Sequence, residues 1–490
     1  MNRPVICRLL GINALLIGIA MIFSLPWAFP IFGQTDKVEL RGILGLTGAI
    51  AVCVLVGVVL LHLGRKGRGQ QVFRREAIAV VGLSWIMATL LGAIPFWLSD
   101  THCAKAEDGQ LMRMGVVDGI FESASGFSGT GATVLTSLDD PDMVPRAILF
   151  WRSETHFLGG LGIMVLFVAV LGLGSAGKTL MVTEMPGPST ESTHARSQRA
   201  AWVFASIFIG LTVILSIILA LEGMSIFDAL CHAFGAIATG GFSTHDKSIE
   251  YFHSPVIEMT LALFMALACV NFTLLFYLLL RKPGKLFADV EFRVYIFIML
   301  VVAFLVMGFG LYYGDFKDFV SADRYGLFQV VSIMTNTGFG TADFDQWNSF
   351  SRGLLVLLMF IGGCAGSTSC SVKVIRYVLL FKILHLEFEQ IFRPNVVRHV
   401  RLGGKVLPDM GLRKDVLVYF AVISILFVIA WIGLVAFEPD STWTNAGLES
   451  QDKLTDCASA VAATLNGVGP GLGIVGESKN YFLFHWPGKL

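Results

Sequence analysis

The chain has 490 residues, of which 36 are basic and 36 acidic, so its formal net charge is zero. Only 15% of the residues are charged and 55% are hydrophobic, whereas about 25% of the residues of a soluble domain are charged. This composition excludes a disordered chain and a nucleic-acid-binding protein, and it argues against a soluble enzyme. A mean hydropathy of +0.71 predicts a single polytopic membrane protein.

Eight mainly apolar runs are long enough to cross a bilayer, which takes about 20 residues. They cover 9–29, 42–62, 77–98, 145–173, 201–222, 254–280, 293–313 and 415–436. Another apolar stretch, 351–384, is broken near its middle, and 479–490 looks like the beginning of a further span. The first run lacks a small-residue cleavage site, so it is interpreted as a retained span and not as a signal peptide.

Basic residues are concentrated in loops that fall on one side if each apolar run crosses once. They occupy 65–75, 196–199, 281–285 and 393–414, and Arg3 and Arg8 precede the first run. The excess of Lys and Arg predicts that this side, with the N-terminus, is cytoplasmic. The opposite loops are acidic, which would concentrate cations at an outer vestibule, although acidic outer loops also occur without such a role.

Each outer loop contains a short apolar segment that ends in a Gly/Thr cluster. The segments are 118–128, 226–237, 325–335 and 454–466, and the central glycines are Gly131, Gly240, Gly338 and Gly469. The pattern predicts an all-α protein with four span–short helix–span repeats around a pseudo-fourfold axis. The boundaries are 1–70 for two accessory spans, then 71–180, 181–285, 286–395 and 396–490 for the repeats.

The four clusters predict a selectivity filter for an alkali cation. Non-helical backbone is tolerated at membrane depth only where it lines a cavity. Four such loops around one axis would point carbonyl oxygens inward and replace the water shell of the ion, as in potassium channels. The candidate ion ligands are Gly129, Thr130, Gly131, Ala238, Thr239, Gly240, Asn336, Thr337, Gly338, Gly467, Val468 and Gly469.

The break in the stretch 351–384 predicts a gate below the filter. Small and polar residues interrupt an otherwise apolar helix there: Gly362, Gly363, Gly366, Ser367, Thr368, Ser369 and Ser371, with Lys373 following. Unwound polar backbone in mid-membrane is typical of ion-handling segments. The alternative interpretation is close helix packing through small residues.

Polar residues inside the other spans are expected to be structural. Arg152 and Glu154 are two positions apart and cannot face each other on a helix. Each of them, like His156, is therefore expected to pair with a neighbouring helix, with direct ion handling as the alternative. Asn271 is expected to bond between helices.

Nucleotide and metal motifs are not supported by their context. Residues 172–179 fit the GxxxxGK[ST] phosphate-binding string, but an apolar span precedes them and no βαβ pattern surrounds them. No CxxC string occurs among the eight cysteines, so neither a zinc site nor a disulfide framework is indicated.

The sequence resembles the Trk/Ktr/HKT potassium transporter family, most closely its TrkH/TrkG branch. Several strings carry the resemblance: Ser-Gly-Phe at 125–127, Thr-Gly-Ala-Thr at 130–133, Arg-Ser at 152–153, Gly-Gly-Leu-Gly at 159–162, Glu-Met-Pro-Gly-Pro at 184–188, Gly-Gly-Phe-Ser-Thr at 240–244, Gly-Gly-Cys-Ala-Gly-Ser-Thr at 362–368 and Ala-Thr-Leu-Asn at 463–466. The resemblance implies potassium uptake across a bacterial inner membrane, without a cofactor. It also implies a homodimer with one pore per protomer and a cytosolic nucleotide-binding partner of the TrkA type. Channel-like passage and proton-coupled symport stay open.

Two features depart from the family pattern. Ser369, Cys370 and Ser371 stand where the family has a Gly-rich continuation, and the chain ends at 488–490, where a final span is expected to continue. We therefore expect the last inner helix to be incomplete, with Lys489 near the family's pore-facing Arg.

Two other functions are left open by the sequence. One is a Na⁺-coupled or Na⁺-permeable transporter of the same family, against which Gly at all four filter centres argues. The other is a non-transporting membrane subunit or receptor.

Overall fold

A computed structural model describes residues 2–33, 37–70, 72–106, 109–171, 194–393, 401–402, 405–406 and 409–489. Within these ranges, six helices are long and apolar enough to cross a membrane, and a sharply bent helix pair makes a seventh if it is counted as one span. The chain is thus a mainly helical, multi-pass membrane protein.

The helices run Arg3–Ser24, Pro30–Gly33, Leu40–Leu63, Arg74–Leu98, Val116–Ser128, Arg146–Leu171, His194–Leu221, Ile226–Ile237, Pro255–Ala268, Phe272–Leu279, Gly284–Ala288, Val290–Tyr313, Phe319–Ser321, Phe328–Met334, Ser349–Met359, Val374–Phe392, Asp409–Phe437, Ser441–Asn445, Lys453–Asn466 and Trp486–Lys489. A π-helical turn, Ala322–Leu327, leads directly into Phe328. Two small antiparallel hairpins pair His102–Lys105 with Leu111–Arg113 and Arg401–Leu402 with Lys405–Val406.

Polar side chains fix where several helices begin. Ser225, Asp289 and Asn348 each accept a hydrogen bond from a backbone N–H of the first turn that follows. Such N-caps satisfy donors that have no partner inside the helix, and each contributes about 1 kcal/mol.

The two N-terminal spanning helices pack against each other and against the helix that follows them. Arg3–Ser24 lies against Leu40–Leu63, and both contact Arg74–Leu98. Trp27, just after the first helix, stacks on Phe150 with ring centroids 4.9 Å apart. The turn after the first helix is therefore held by an aromatic contact with helix Arg146–Leu171.

The prediction of one continuous span over 254–280 is wrong. The structure divides it into Pro255–Ala268 and Phe272–Leu279, bent by 106°. Asn271 caps the second helix by accepting from Thr273 N at 2.8 Å, so its role is a helix cap. Backbone groups at the break bond to the non-helical segment 360–373: Cys364 N donates to Cys269 O, and Phe272 N donates to Gly366 O.

The stretch 351–384 is interrupted in the structure. Helix Ser349–Met359 ends, residues 360–373 are non-helical, and helix Val374–Phe392 follows. In the last stretch, 479–490, the described residues contain only the four-residue helix Trp486–Lys489.

Candidate functional site

Four short helices of the described chain end directly before the four Gly/Thr clusters. We call them short helices 1 to 4: Val116–Ser128, Ile226–Ile237, Phe328–Met334 and Lys453–Asn466. The residues that follow are loops 1 to 4: 129–133, 239–243, 336–340 and 467–471. One residue at the start of each loop is left-handed, with φ of 69° at Gly129, 53° at Thr239, 60° at Asn336 and 69° at Gly467.

The same backbone bond closes every short helix and fixes the register between the loops. The N–H of the next residue bonds five residues back: Thr130 to Ser125 O, Gly240 to Gly235 O, Thr337 to Ser332 O and Val468 to Ala463 O, at 2.8–2.9 Å. A second left-handed residue follows at Gly131, Gly241, Gly338 and Gly469. A left-handed residue followed by an N–H that bonds back into the helix is a common way to satisfy the last carbonyl groups of a helix.

The central glycine of loop 2 is therefore Gly241, and the predicted Gly240 was out of register by one residue. Gly240 is equivalent to Thr130, and Ala238 is equivalent to Ser128 at the end of short helix 1. The adjacent glycines made the sequence ambiguous, and only the helix-closing bonds resolve it.

The four loops contact one another in a closed ring. A Cβ added to Gly131 would collide with Gly240 O of loop 2, and one on Gly241 would collide with Thr337 O of loop 3. A Cβ on Gly338 would collide with Val468 O, and one on Gly469 would come within 2.7 Å of Thr130 O, which returns to loop 1. Only glycine fits this close approach at a positive φ.

One cavity of about 110 Å³ borders all four loops. Its lining includes Gly131, Gly241, Gly338 and Gly469, with Arg152 and residues of the segments that leave the loops. The four equivalent positions thus face a common space.

The predicted gate residues lie on the other side of the ring. Gly362, Gly363, Gly366, Ser367, Thr368, Ser369, Ser371 and Lys373 all belong to the non-helical segment 360–373. Cys370 Sγ is 3.6 Å from Ser128 O, at the end of short helix 1. Ser371 Oγ donates to Asn466 Oδ1, at the end of short helix 4, at 3.0 Å. The segment therefore contacts the C-terminal ends of short helices 1 and 4, where loops 1 and 4 begin.

Contacts within and around this segment hold its shape. Lys373 Nζ donates to the backbone oxygen of Ser369 and, at 3.0 Å, to its hydroxyl. The carboxylate of Glu291 accepts from Ala365 N at 2.7 Å and from Ile375 N at 3.1 Å. Glu291 thus connects the middle of the segment and the first turn of helix Val374–Phe392 to the start of helix Val290–Tyr313.

Three residues of this centre were not among the sequence candidates. Glu291 is buried near the start of an apolar span, and such a carboxylate is itself a signal of function or pairing. Glu122 lies in short helix 1 and Cys370 within the segment, but nothing in the sequence distinguishes them from their neighbours.

A cluster of titratable groups lies beside the outer ends of loops 1 and 2. His245 Nδ1 is 2.6 Å from Asp139 Oδ1, and its Nε2 is 3.5 Å from Asp228 Oδ1. Burial alone would lower the pKa of His245, but the hydrogen bonds and charges of Asp228 and Asp139 outweigh it and raise this pKa above the ordinary value of 6.5. When His245 is protonated, its imidazolium lies between the two carboxylates.

A second acidic cluster lies beside the outer ends of loops 3 and 4. Asp345 Oδ2 accepts from Gly473 N at 3.0 Å. Burial, and then the nearby charge of Asp343, raise the pKa of Asp345 to about 6. Burial also raises the pKa of Glu477, which lines the cavity, well above its usual range.

Lys489 does not contribute to this centre. Lys489 Nζ donates to Asp118 Oδ1 at 2.7 Å, at the start of short helix 1 and far from its loop, so the expected position near the pore is wrong. The string at 172–179 lies outside the described residues. Among the described residues, no group of three or more His, Cys, Asp or Glu side chains is arranged to hold a metal ion.

The fold and the ring define a class: a multi-pass helical membrane protein built around four loops that meet at one centre. The sequence profile of the TrkH family, described as a cation transport protein, matches residues 45–482. The chain belongs to this family, which consists of cation transporters and not of enzymes.

Named relatives resemble the chain over most of its length. It is 36% identical over 441 residues to the Trk system potassium uptake protein TrkH of Escherichia coli K12, which covers 88% of this chain and 84% of that protein. It is 33% identical to TrkG of the same strain, covering 84% and 80%. The crystal structure of the potassium transporter TrkH from Vibrio parahaemolyticus matches with a TM-score of 0.83 at 30% identity, covering 100% of this chain and 94% of that one.

Proposed function

We propose that this chain takes up K⁺ across the bacterial inner membrane, with the ring of loops 1 to 4 as its selectivity filter. The observation that carries the proposal is the closure of the ring, in which four equivalent glycines border one cavity. The names of the relatives, Trk potassium uptake proteins, support K⁺ as the ion.

The mechanism follows from the backbone of the loops. Carbonyl oxygens of the four loops take the place of the water shell of a dehydrated K⁺ ion. All four short helices end at the ring, and the partial negative charge at a helix C-terminus favours a cation there. With the corrected register, the filter residues of loop 2 are Thr239, Gly240 and Gly241.

The segment 360–373 acts as the gate in this proposal. Its contacts with Ser128 and Asn466 support a position across the ion path. Lys373 adds a fixed positive charge, and such a charge near a low-dielectric pore repels a cation. Regulation by a TrkA-type cytosolic subunit, assembly as a homodimer and a cytoplasmic N-terminus complete the proposal from the family resemblance.

The repeat architecture also belongs to the proposal. Four span–short helix–span units surround one pseudo-fourfold axis, and the helices Arg3–Ser24 and Leu40–Leu63 are accessory. The cyclic order of contacts from loop 1 to loop 4 supports this arrangement.

A Na⁺-permeable transporter is the competing function. Glycine at all four equivalent positions argues against it, because every loop then presents the same side-chain-free backbone to the ion. A non-transporting subunit predicts no flux at all.

Flux into vesicles tests the proposal. Purified chain in K⁺-loaded proteoliposomes should take up ⁸⁶Rb⁺, and external K⁺ should compete far better than external Na⁺. Protein-free vesicles are the control, and a TrkA-type partner added on the cytoplasmic side should change the rate. Equal competition by Na⁺ would establish the Na⁺-permeable alternative, and absence of uptake with and without the partner would rule out transport.

A further inference from the structure

A buried ion pair lies behind loops 1 and 2. Arg152 of helix Arg146–Leu171 and Glu122 of short helix 1 are joined by an Nε–Oε1 contact of 2.5 Å, with side chains 2% and 0% exposed. The guanidinium also lies over the ring of Phe242 in loop 2, 3.5 Å from its centroid. Removing one partner of such a pair leaves an uncompensated buried charge.

Each partner holds the outer end of a different loop. Glu122 accepts from Thr133 Oγ1 at 2.8 Å and from Val134 N at 3.0 Å, where the chain leaves loop 1. Arg152 Nη1 donates to Ser243 O at 2.9 Å, where the chain leaves loop 2. Thr133 and Ser243 occupy equivalent positions, so the pair connects corresponding points of adjacent loops.

His156, one turn along the same helix, makes a second connection. Its Nε2 accepts from Phe242 N of loop 2 at 3.1 Å. A neutral imidazole must then carry its proton on Nδ1 and donate it to Gly126 O of short helix 1, 2.7 Å away. One helix therefore fixes loop 2 relative to short helix 1 at two levels.

Loops 2 and 3 are held by uncharged side chains at the position equivalent to Glu122, and the equivalent residue of short helix 4 is an alanine. That position is His232, Gln329 and Ala460 in short helices 2 to 4. His232 contacts the hydroxyl of Ser243 at 3.0 Å, and Gln329 Nε2 donates to Ala342 O at 2.8 Å. Among these four equivalent positions, only the one behind loop 1 carries a charge.

We propose that the Arg152–Glu122 pair is a positioning unit that sets the spacing of loops 1 and 2 and thereby the K⁺/Na⁺ selectivity of the ring. This role rests on the proposed function of the ring as a filter. A K⁺ ion and a Na⁺ ion differ in the ligand spacing they need, and a pair that ties two of the four loops controls that spacing on one side of the ring.

The test measures the ratio of ⁸⁶Rb⁺ to ²²Na⁺ uptake in proteoliposomes at matched protein content. Arg152→Gln and Glu122→Gln should each lower the ratio by roughly tenfold, the size of effect expected for strongly coupled neighbours. The double variant R152Q/E122Q removes both buried charges, so it should recover abundance while its ratio stays low. Arg152→Lys keeps the positive charge but not the planar guanidinium. Its uptake ratio should therefore lie between those of the unaltered protein and Arg152→Gln.

A matched ion pair elsewhere controls for general destabilisation. Arg324 contacts Glu258 through two bonds of 2.7 and 2.6 Å, and Glu258 is 1% exposed. This pair joins helix Pro255–Ala268 to the π-helical turn Ala322–Leu327, both of which lie outside loops 1 to 4 in the sequence. Glu258→Gln should lower abundance or thermal stability and leave the uptake ratio unchanged.

Thr133→Val provides a variant that keeps the fold even if the charge variants do not accumulate. It removes the hydroxyl bond to Glu122 and the acceptor of Leu135 N, both at the outer end of loop 1, and it should lower the ratio in the same direction by a smaller factor. A wild-type ratio in both Thr133→Val and the well-folded double variant would overturn the positioning role. Absence of selective uptake by the unaltered protein would instead contradict the proposed function.

Discussion

A methyl group has no room at the second left-handed position of any of the four loops. Gly131, Gly241, Gly338 and Gly469 each approach the backbone of the next loop more closely than any Cβ tolerates. Two features exclude a side chain at these positions: a positive φ and a neighbouring carbonyl oxygen. Experiment can separate them, because Gly223 has a positive φ but no such neighbour.

Gly241→Ala tests the close approach of loop 2 to loop 3. We expect at least about tenfold lower ⁸⁶Rb⁺ uptake at matched abundance, because overpacking against fixed backbone costs about 1–3 kcal/mol. Gly223 has a φ of 107° but nothing within 4 Å of an added Cβ. Gly223→Ala should therefore show only backbone strain, about 1–2 kcal/mol of stability, with near-normal uptake. Equal uptake by the two variants would contradict the ring geometry.

Protonation of His245 makes the stability of the outer side of the ring depend on pH. Burial lowers the pKa of His245, but Asp228 and Asp139 raise it by more, so the resulting pKa lies above 6.5. A raised histidine pKa adds stability that is complete below the ordinary value and is lost as the pH rises through the folded-state value.

We expect the melting temperature of the unaltered protein to exceed that of His245→Gln most at about pH 6, and the difference to shrink towards about pH 9. Thermal unfolding in detergent across that range measures it. A difference that is constant or grows with pH would mean that the imidazolium bridge does not stabilise this region.

At the scale of secondary structure, two interruptions of helical backbone stabilise each other through hydrogen bonds. The break at Cys269–Asn271 and the segment 360–373 exchange backbone hydrogen bonds, since Cys364 N donates to Cys269 O and Phe272 N donates to Gly366 O. Non-helical backbone needs such partners where water is absent. The sequence indicates one break through its cluster of Gly and Ser, but the other rests on Asn271 alone within a continuous apolar run, so hydropathy could not locate it.

Glu291→Ala tests whether the segment 360–373 is a gate. The carboxylate holds Ala365 N and Ile375 N, and a lost buried acceptor costs about 1–3 kcal/mol. The segment should be released more often, and partner-free ⁸⁶Rb⁺ uptake should rise roughly threefold or more.

Asp289→Ala is the matched control for Glu291→Ala. Asp289 caps the same helix by accepting from Phe292 N at 2.9 Å, and loss of this cap weakens the helix start without freeing the segment. Equal basal uptake in both variants, each well folded, would favour the alternative that the small residues only pack helices.

The centre of the whole molecule is assembled from segments that are far apart in the chain. Loop 1 begins at Gly129 and loop 4 at Gly467, and the contact between Gly469 and Thr130 closes the ring. The sequence located all four loops because short apolar runs followed by Gly and Thr recur at similar places. It could not specify loop-to-loop contacts, the pairing of Arg152 with Glu122, or the seating of the segment 360–373, since these depend on side chains that meet only after folding.

The central claim is that the ring of four loops binds a dehydrated K⁺ ion. Anomalous diffraction from crystals of this chain grown in Rb⁺ tests it most directly. We predict anomalous peaks inside the ring bounded by loops 1 to 4, which disappear when K⁺ replaces Rb⁺ and persist when Na⁺ is added in equal excess. Peaks that Na⁺ displaces as well as K⁺ does, or Rb⁺ bound elsewhere with none in the ring, would contradict it.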